Sequence, residues 1–158
     1  MILEVKLAEV SDASLIHDLM IKAFMEYKDA TPPSSALEET VESISTALKE
    51  NEKGLIAYVD EKPVGMVRFQ FVDKGLYFYR LSVIPEKQGK GIAKKILTSL
   101  ENYAKNQRIP ALLCKVRLTV PKNIQLYRSI GYTIDNEEVI HRGNDIHIKV
   151  VSMRKKIR

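Results

Sequence analysis

The chain has 158 residues, a formal charge of +5 and 45% hydrophobic content, which suits a single domain over residues 1–158 with a substantial core. Its N-terminus, Met1-Ile2-Leu3-Glu4-Val5-Lys6, lacks the apolar run of a secretion signal, and no segment approaches the roughly 18 apolar residues of a membrane span, so a cytoplasmic protein is expected. One cysteine excludes an internal disulfide, and three scattered histidines without Cys/His spacing give no metal site.

Alternation from Ile2 to Ala8 predicts a strand, and Ser11 or Asp12 can cap a helix whose apolar stripe is Leu15, Ile16, Leu19, Met20, Ala23 and Phe24. After the break at Thr31-Pro32-Pro33, Ser34 or Ser35 is placed to cap a second helix carrying Leu37, Val41, Ile44 and Leu48, with Glu38 and Glu39 in its first turn. Two strands, Gly54 to Val59 and Lys62 to Val72, flank the tight turn Asp60-Glu61, and Asp73-Lys74-Gly75 leads into a third that ends near Ile84. A helix with Ile92, Ile96, Leu97, Leu100, Tyr103 and Ala104 on one side ends before Pro110. Ala111 to Leu118 is a strand in which Cys114 sits among Leu112, Leu113 and Val116, as a buried thiol would. Pro121 opens a short helix through Arg128 that Gly131 closes, and Tyr132 to Ile134 and Asp145 to Met153 form a last strand pair around Arg142-Gly143-Asn144. The order is β-α-α-β-β-β-α-β-α-β-β, which predicts an α/β (α+β) fold with a mixed sheet between helices on both faces.

The densest chemical signal is the run from Leu81 to Leu97, where a strand meets Pro85, a turn bearing Gly89 and Gly91, and then a helix. A helix start offers unpartnered N–H groups and partial positive charge, glycines let a ligand approach the backbone, and Lys87, Lys90, Lys94 and Lys95 add a positive field. This arrangement fits a phosphorylated ligand. A dinucleotide fingerprint would require a small residue where Lys94 stands, and a Walker loop would require different glycine spacing and a following Ser or Thr. What remains, Gln88-x-x-Gly91-x-Ala93 after a strand, resembles the acyl-CoA pyrophosphate loop of the GNAT family of N-acetyltransferases. A second segment, Leu126-Tyr127 followed by Gly131-Tyr132, is similar to that family's closing motif, and the predicted element order is similar to its fold from end to end.

The resemblance implies an acetyl-CoA-dependent transfer of an acetyl group to a primary amine by direct attack, with no metal. It implies that Gln88, Gly89, Lys90, Gly91, Ile92, Ala93 and Lys94 hold the pyrophosphate and that the main chain of Leu81, Ser82 and Val83 pairs with the pantetheine arm and donates to the oxyanion. Tyr127 is the implied general acid toward the leaving thiolate. Where many relatives carry an asparagine seven residues before that tyrosine, this chain has Val120, and Asn123 is the nearest substitute.

No carboxylate stands in Leu76 to Val83, so no general base is assigned; Glu26, Glu138 and His147 are the candidates, with proton loss through ordered water as another route. The resemblance also implies that the acceptor meets the segment Tyr27 to Ser35 and the last strand pair, which leaves small amines and peptide N-termini both open. Homodimers are common in the family. Two other classes are a catalytically silent acyl-CoA sensor using the same loop and an RNA-interacting protein using Arg154, Lys155, Lys156 and Arg158; the tail lacks interleaved aromatic residues, which disfavours nucleic acid.

Overall fold

A computed structural model describes residues 2–29, 34–143 and 145–157. Seven strands, β1 (Leu3–Leu7), β2 (Lys53–Val59), β3 (Lys62–Val72), β4 (Gly75–Val83), β5 (Ala111–Arg117), β6 (Thr133–His141) and β7 (His147–Lys156), form one sheet in the order β1-β2-β3-β4-β5-β7-β6. Helices α1 (Ala13–Phe24) and α2 (Val41–Lys49) cover one face; α3 (Ile92–Asn106) and α4 (Pro121–Ser129) pack on the other. The element order and mixed, mostly antiparallel sheet agree with the sequence reading.

Two apolar clusters hold these layers. Ile16, Leu19, Met20 and Ile44 pack against Ile56 and Met66 on the first face, while Ile92, Ile96, Leu97 and Leu100 pack against Val67, Phe69, Leu76 and Phe78 on the second. Each such side chain, fully buried, contributes about 1.5–3 kcal/mol of transfer free energy. Cys114 is 3% exposed in the second cluster, and burial pushes its thiol up to about 12. The expected result is that a thiol reagent at pH 8 leaves folded protein unlabelled over minutes while labelling urea-unfolded protein at once; rapid labelling in the folded state would contradict the burial.

One junction is unlike the rest. β4 and β5 run parallel, and their register contains only Leu76↔Leu112 and Tyr77↔Leu113. From Phe78 onward the β5-facing edge of β4 has no strand partner among the described residues, so the sheet opens there. On its other edge β4 carries a bulge, where Arg68↔Tyr79 is followed by Met66↔Ser82 and Arg80 takes the left-handed conformation (φ 58°). A bulge adds a residue on one strand and bends it, which turns the end of β4 away from β5.

The structure corrects several boundaries. The second helix begins at Val41, capped by a reciprocal pair between Thr40 and Ser43, while Ser34 caps a separate 3-10 turn, Ser35–Glu38. Glu39 is extended (φ −74°, ψ 150°) between them because its carboxylate is drawn to two arginines. Asp12 accepts from the Glu9 N–H at 2.8 Å and makes no side-chain cap on α1. β6 runs to His141, much further than Ile134, and β7 continues to Lys156. Arg154, Lys155 and Lys156 are therefore strand residues, with Lys155 bonded to Glu101 at 2.9 Å, and do not form a solvated tail. Ala30, Thr31, Pro32, Pro33, Asn144 and Arg158 lie outside the described residues. No helix among the described residues is long and apolar enough to cross a membrane.

Candidate active site

Pro85–Lys87 form a 3-10 turn after β4, and Gln88 returns its side chain to the strand by donating to the Val83 carbonyl at 3.0 Å. That bond ties the loop to the end of β4. Gly89 and Gly91 both have positive φ, 77° and 79°, a conformation costly to other residues. A Cβ added at either would meet nothing within 4 Å, so neither glycine is required by packing. Gly91 is the N-cap of α3 and offers no side-chain cap. The first intrahelical bond is Lys95 N–H to the Gly91 carbonyl at 3.1 Å, which leaves the N–H groups of Ile92, Ala93 and Lys94 as donors at the positive end of the helix.

A groove of about 480 Å³ runs from this turn along the open end of β4, lined by Leu81, Val83, Lys87, Gln88, Gly89, Gly91, Ile92, Ala93 and Lys94. Its other walls are Ala23, Phe24 and Glu26 at the end of α1 and Lys122, Asn123 and Leu126 from α4. Lys122 and Glu26 form an ion pair at 3.2 Å that links those walls. Lys87, Lys94 and Lys122 outnumber the one lining carboxylate, so the groove favours an anionic ligand.

Most of the residues singled out from the sequence meet here. Ser82 does not line the groove; alternation turns it inward, where it is buried and donates to the Arg80 carbonyl at 2.9 Å. Lys90 is exposed beside the turn and outside the lining. Tyr127 is also outside the lining, one residue beyond Leu126, with its ring 5.7 Å edge-on to Phe78 and 5.7 Å from Tyr132. Phe78 directly follows the last β4 residue paired with β5, so Tyr127 packs at the apex of the opening. Val120 is the N-cap of α4, and Asn123, one turn in, does reach the groove wall.

Of the candidate bases, only Glu26 borders the groove. Glu138 pairs with Lys115 at 3.0 Å on β6, and His147 faces His141 across the hairpin with Nδ1 to Nδ1 at 2.6 Å. In the segment Tyr27 to Ser35, Ser35 accepts from Arg80 at 3.0 Å, and Asp29 is exposed.

Periodicity did not expose a buried polar network beneath this segment. Arg68, 3% exposed on β3, donates to Glu52 through Nε at 2.7 Å and Nη2 at 2.9 Å, and through Nη1 to Glu39 at 2.8 Å. Burial alone would lower its guanidinium, but the hydrogen bonds and charges of Glu52 and Glu39 outweigh that and raise it. Tyr79 donates a short bond to Glu52, and Arg80 donates to Glu39 at 2.9 Å. Burial, then the bonded Glu52, raises the Tyr79 phenol far above its ordinary range. Glu39 thereby joins the turn before α2 to the bulge beside the groove. An arginine inside the apolar run of β3 and a tyrosine and arginine in β4 were the available signals.

The chain matches the profile of the Acetyltransferase (GNAT) family over residues 15–132. It belongs to that family. The fold also matches a probable acetyltransferase from Staphylococcus epidermidis with TM-score 0.83 and 13% identity, covering 99% of this chain and 100% of that one. It is similar to the ribosomal-protein-S18-alanine N-acetyltransferase from Escherichia coli, with TM-score 0.80, 16% identity and 99% and 94% coverage. A third similar structure is the PaiA N-acetyltransferase from Thermoplasma acidophilum in complex with coenzyme A, with TM-score 0.73, 17% identity and 99% coverage of both chains. At these identities the likeness shows the fold. No curated protein matches the chain by sequence.

Proposed function

We propose that this GNAT acetyltransferase transfers an acetyl group from acetyl-CoA to a primary amine, as one catalytic unit spanning residues 1–158. The observation that carries the proposal is the groove, which joins a helix start and a strand edge that, among the described residues, have free N–H groups and no strand partner respectively. The turn Gln88–Lys94 fits a pyrophosphate, and a strand edge beginning at Phe78 fits an amide-bearing arm that pairs as an added strand would. The coenzyme A complex of the Thermoplasma protein and the amine acceptor of the S18-alanine enzyme support the assignment.

In this reading the main chain of Leu81 and Val83 orients the thioester and supplies the oxyanion donor, while Ser82 contributes only its backbone. The acceptor amine attacks the thioester carbonyl, the attacking nitrogen gives up its proton through ordered water, and the carbon–sulfur bond breaks to release a thiolate. Tyr127, at the apex of the opening, gives its phenolic proton to that sulfur and regains one from water. Asn123 and Lys122 border the arm from α4.

Calorimetric titration with acetyl-CoA tests the first step. Unmodified protein is expected to bind, and Gly91→Trp is expected to lose binding because its indole enters the space beside the turn. The variant should still unfold cooperatively, with about 1–2 kcal/mol lost to the positive φ. Equal binding by folded Gly91→Trp would place the pyrophosphate elsewhere, and no binding to the unmodified protein would end the proposal.

A further inference from the structure

Strand register brings together two histidines whose spacing in the chain gives no sign of a site. His141 of β6 stands opposite His147 of β7 as the last pair before the turn. Immediately beyond them, the Arg142 N–H donates to the Ile146 carbonyl at 2.9 Å. Hydrogen-bonded and non-hydrogen-bonded pairs alternate along an antiparallel ladder, so His141 and His147 form a non-hydrogen-bonded pair, the kind whose side chains stand closest. Both residues are exposed, their ring centroids are 4.5 Å apart with planes at 90°, and Nδ1 faces Nδ1 at 2.6 Å. Among the described residues, each ring has its hydrogen bond with the other. One nitrogen donates and the other accepts, so a single proton bridges the pair.

That proton sits where a metal ion sits in a two-nitrogen chelate. Moving it to Nε2 of the same neutral ring leaves two bare Nδ1 atoms with no net change in protonation. Imidazole nitrogens bind a divalent transition ion at about 2.0–2.1 Å, so two of them 2.6 Å apart subtend about 80° at the metal. A right angle needs the nitrogens about 2.9 Å apart, and a tetrahedral angle about 3.3 Å. A slight rotation of two exposed rings supplies the first, whereas the second asks for a larger spread. Right-angled nitrogen pairs suit the tetragonal shells of Cu2+ and Ni2+, while Zn2+ favours the tetrahedron. No group of three or more His, Cys, Asp and Glu is assembled among the described residues, so water completes the shell. Arg142 and Lys149 are the nearest cations in sequence and Asp145 the nearest carboxylate, so the two nitrogens, and not net charge, define the site.

We propose that His141 and His147 chelate Cu2+ or Ni2+ through their Nδ1 atoms and thereby clip β6 to β7. β6 is an edge strand paired only with β7 and exposed along nearly its whole length, so a cross-strand chelate at the turn adds a tie that the sheet does not otherwise give it. Neither histidine lines the groove, and the metal site stands or falls independently of acetyl transfer.

The test is calorimetric titration of untagged protein with Cu2+, Ni2+ and Zn2+ in turn. Expected is one Cu2+ per chain, with affinity falling from Cu2+ to Ni2+ to Zn2+. His141→Asn and His147→Asn should each weaken Cu2+ binding at least about tenfold, since losing a group that only supports a ligand already costs about 10–100-fold. The double substitution should add little to either single one, because one imidazole is no chelate. Both positions are exposed, so in EDTA the variants should melt with the unmodified protein, and saturating Cu2+ should raise the midpoint of the unmodified protein alone. Cu2+ binding that survives both substitutions, or Zn2+ bound in preference to Cu2+ and Ni2+, would overturn the proposal.

A second readout uses the unmodified protein. Substoichiometric Ni2+, which is paramagnetic in an octahedral shell, should broaden the ring C–H resonances of His141 and His147 before those of His17, whose Nε2 lies 3.0 Å from the Glu39 carbonyl. Broadening centred on His17, or none up to about 1 mM Ni2+, sinks the proposal whatever the acetyl-CoA titration shows.

Discussion

Replacing Glu52 by Ala is expected to lower the unfolding free energy by about 3–5 kcal/mol, because it strands a buried charge. Glu52 accepts two bonds from Arg68 and one from Tyr79, and both side chains of the ion pair are 3% exposed. Without Glu52, one carboxylate, Glu39, remains to serve Arg68 and Arg80 together, and the Tyr79 hydroxyl keeps only the donor Gln70 at 2.9 Å. Urea unfolding of the variant should show a lower midpoint with an unchanged slope. Arg68→Met alone should also destabilise, and the double variant Glu52→Ala, Arg68→Met should lose clearly less than the sum of the two. Additive losses would mean that the pair is screened and that water reaches it. The consequence extends to the groove, because Glu39 and Arg68 support Arg80 in its left-handed bulge, and that bulge directs the end of β4 away from β5.

The parts of the fold with a strong apolar period were legible in the sequence. α1 and α3 carry one-sided stripes, and β2 to β5 carry runs of Val, Ile, Leu and Phe, so their bounds fall within a residue or two of those read from the letters. β6 was cut short at Ile134 because Asp135-Asn136-Glu137-Glu138 shows no apolar alternation. As an edge strand paired only with β7, it is exposed along nearly its whole length and needs none. The start of α2 was misplaced for another reason. Ser34 and Glu38-Glu39 have the composition of a helix entrance, but Arg68 and Arg80, distant in sequence, claim Glu39 and hold the backbone extended there.

Within the site, the glycine turn was readable because its chemistry is local: a short loop, a helix start and the lysines beside it. Long-range placements were not. Nothing in the letters shows that β4 leaves β5 after two paired residues, that Lys122 meets Glu26 across the groove, or that Arg68 and Arg80 share Glu39. Each depends on sheet register, which fixes face and neighbour only after the strands have paired.

Tyr127→Phe is expected to reduce kcat by about 10²-fold or more while leaving acetyl-CoA affinity within about twofold. The substitution keeps the ring against Phe78 and Tyr132, so unfolding free energy should change by no more than about 1 kcal/mol. Tyr127→Ala, in contrast, empties a 7% exposed core position and should cost about 3–5 kcal/mol. Comparing the two separates proton donation from packing. A catalytic hydroxyl predicts a folded, ligand-binding and slow Phe variant, and thiols of lower pKa, which depart without help, should narrow the difference from the unmodified enzyme. Wild-type turnover by Tyr127→Phe would show that the tyrosine only packs, and that the departing thiolate takes its proton from solvent at the mouth of the groove.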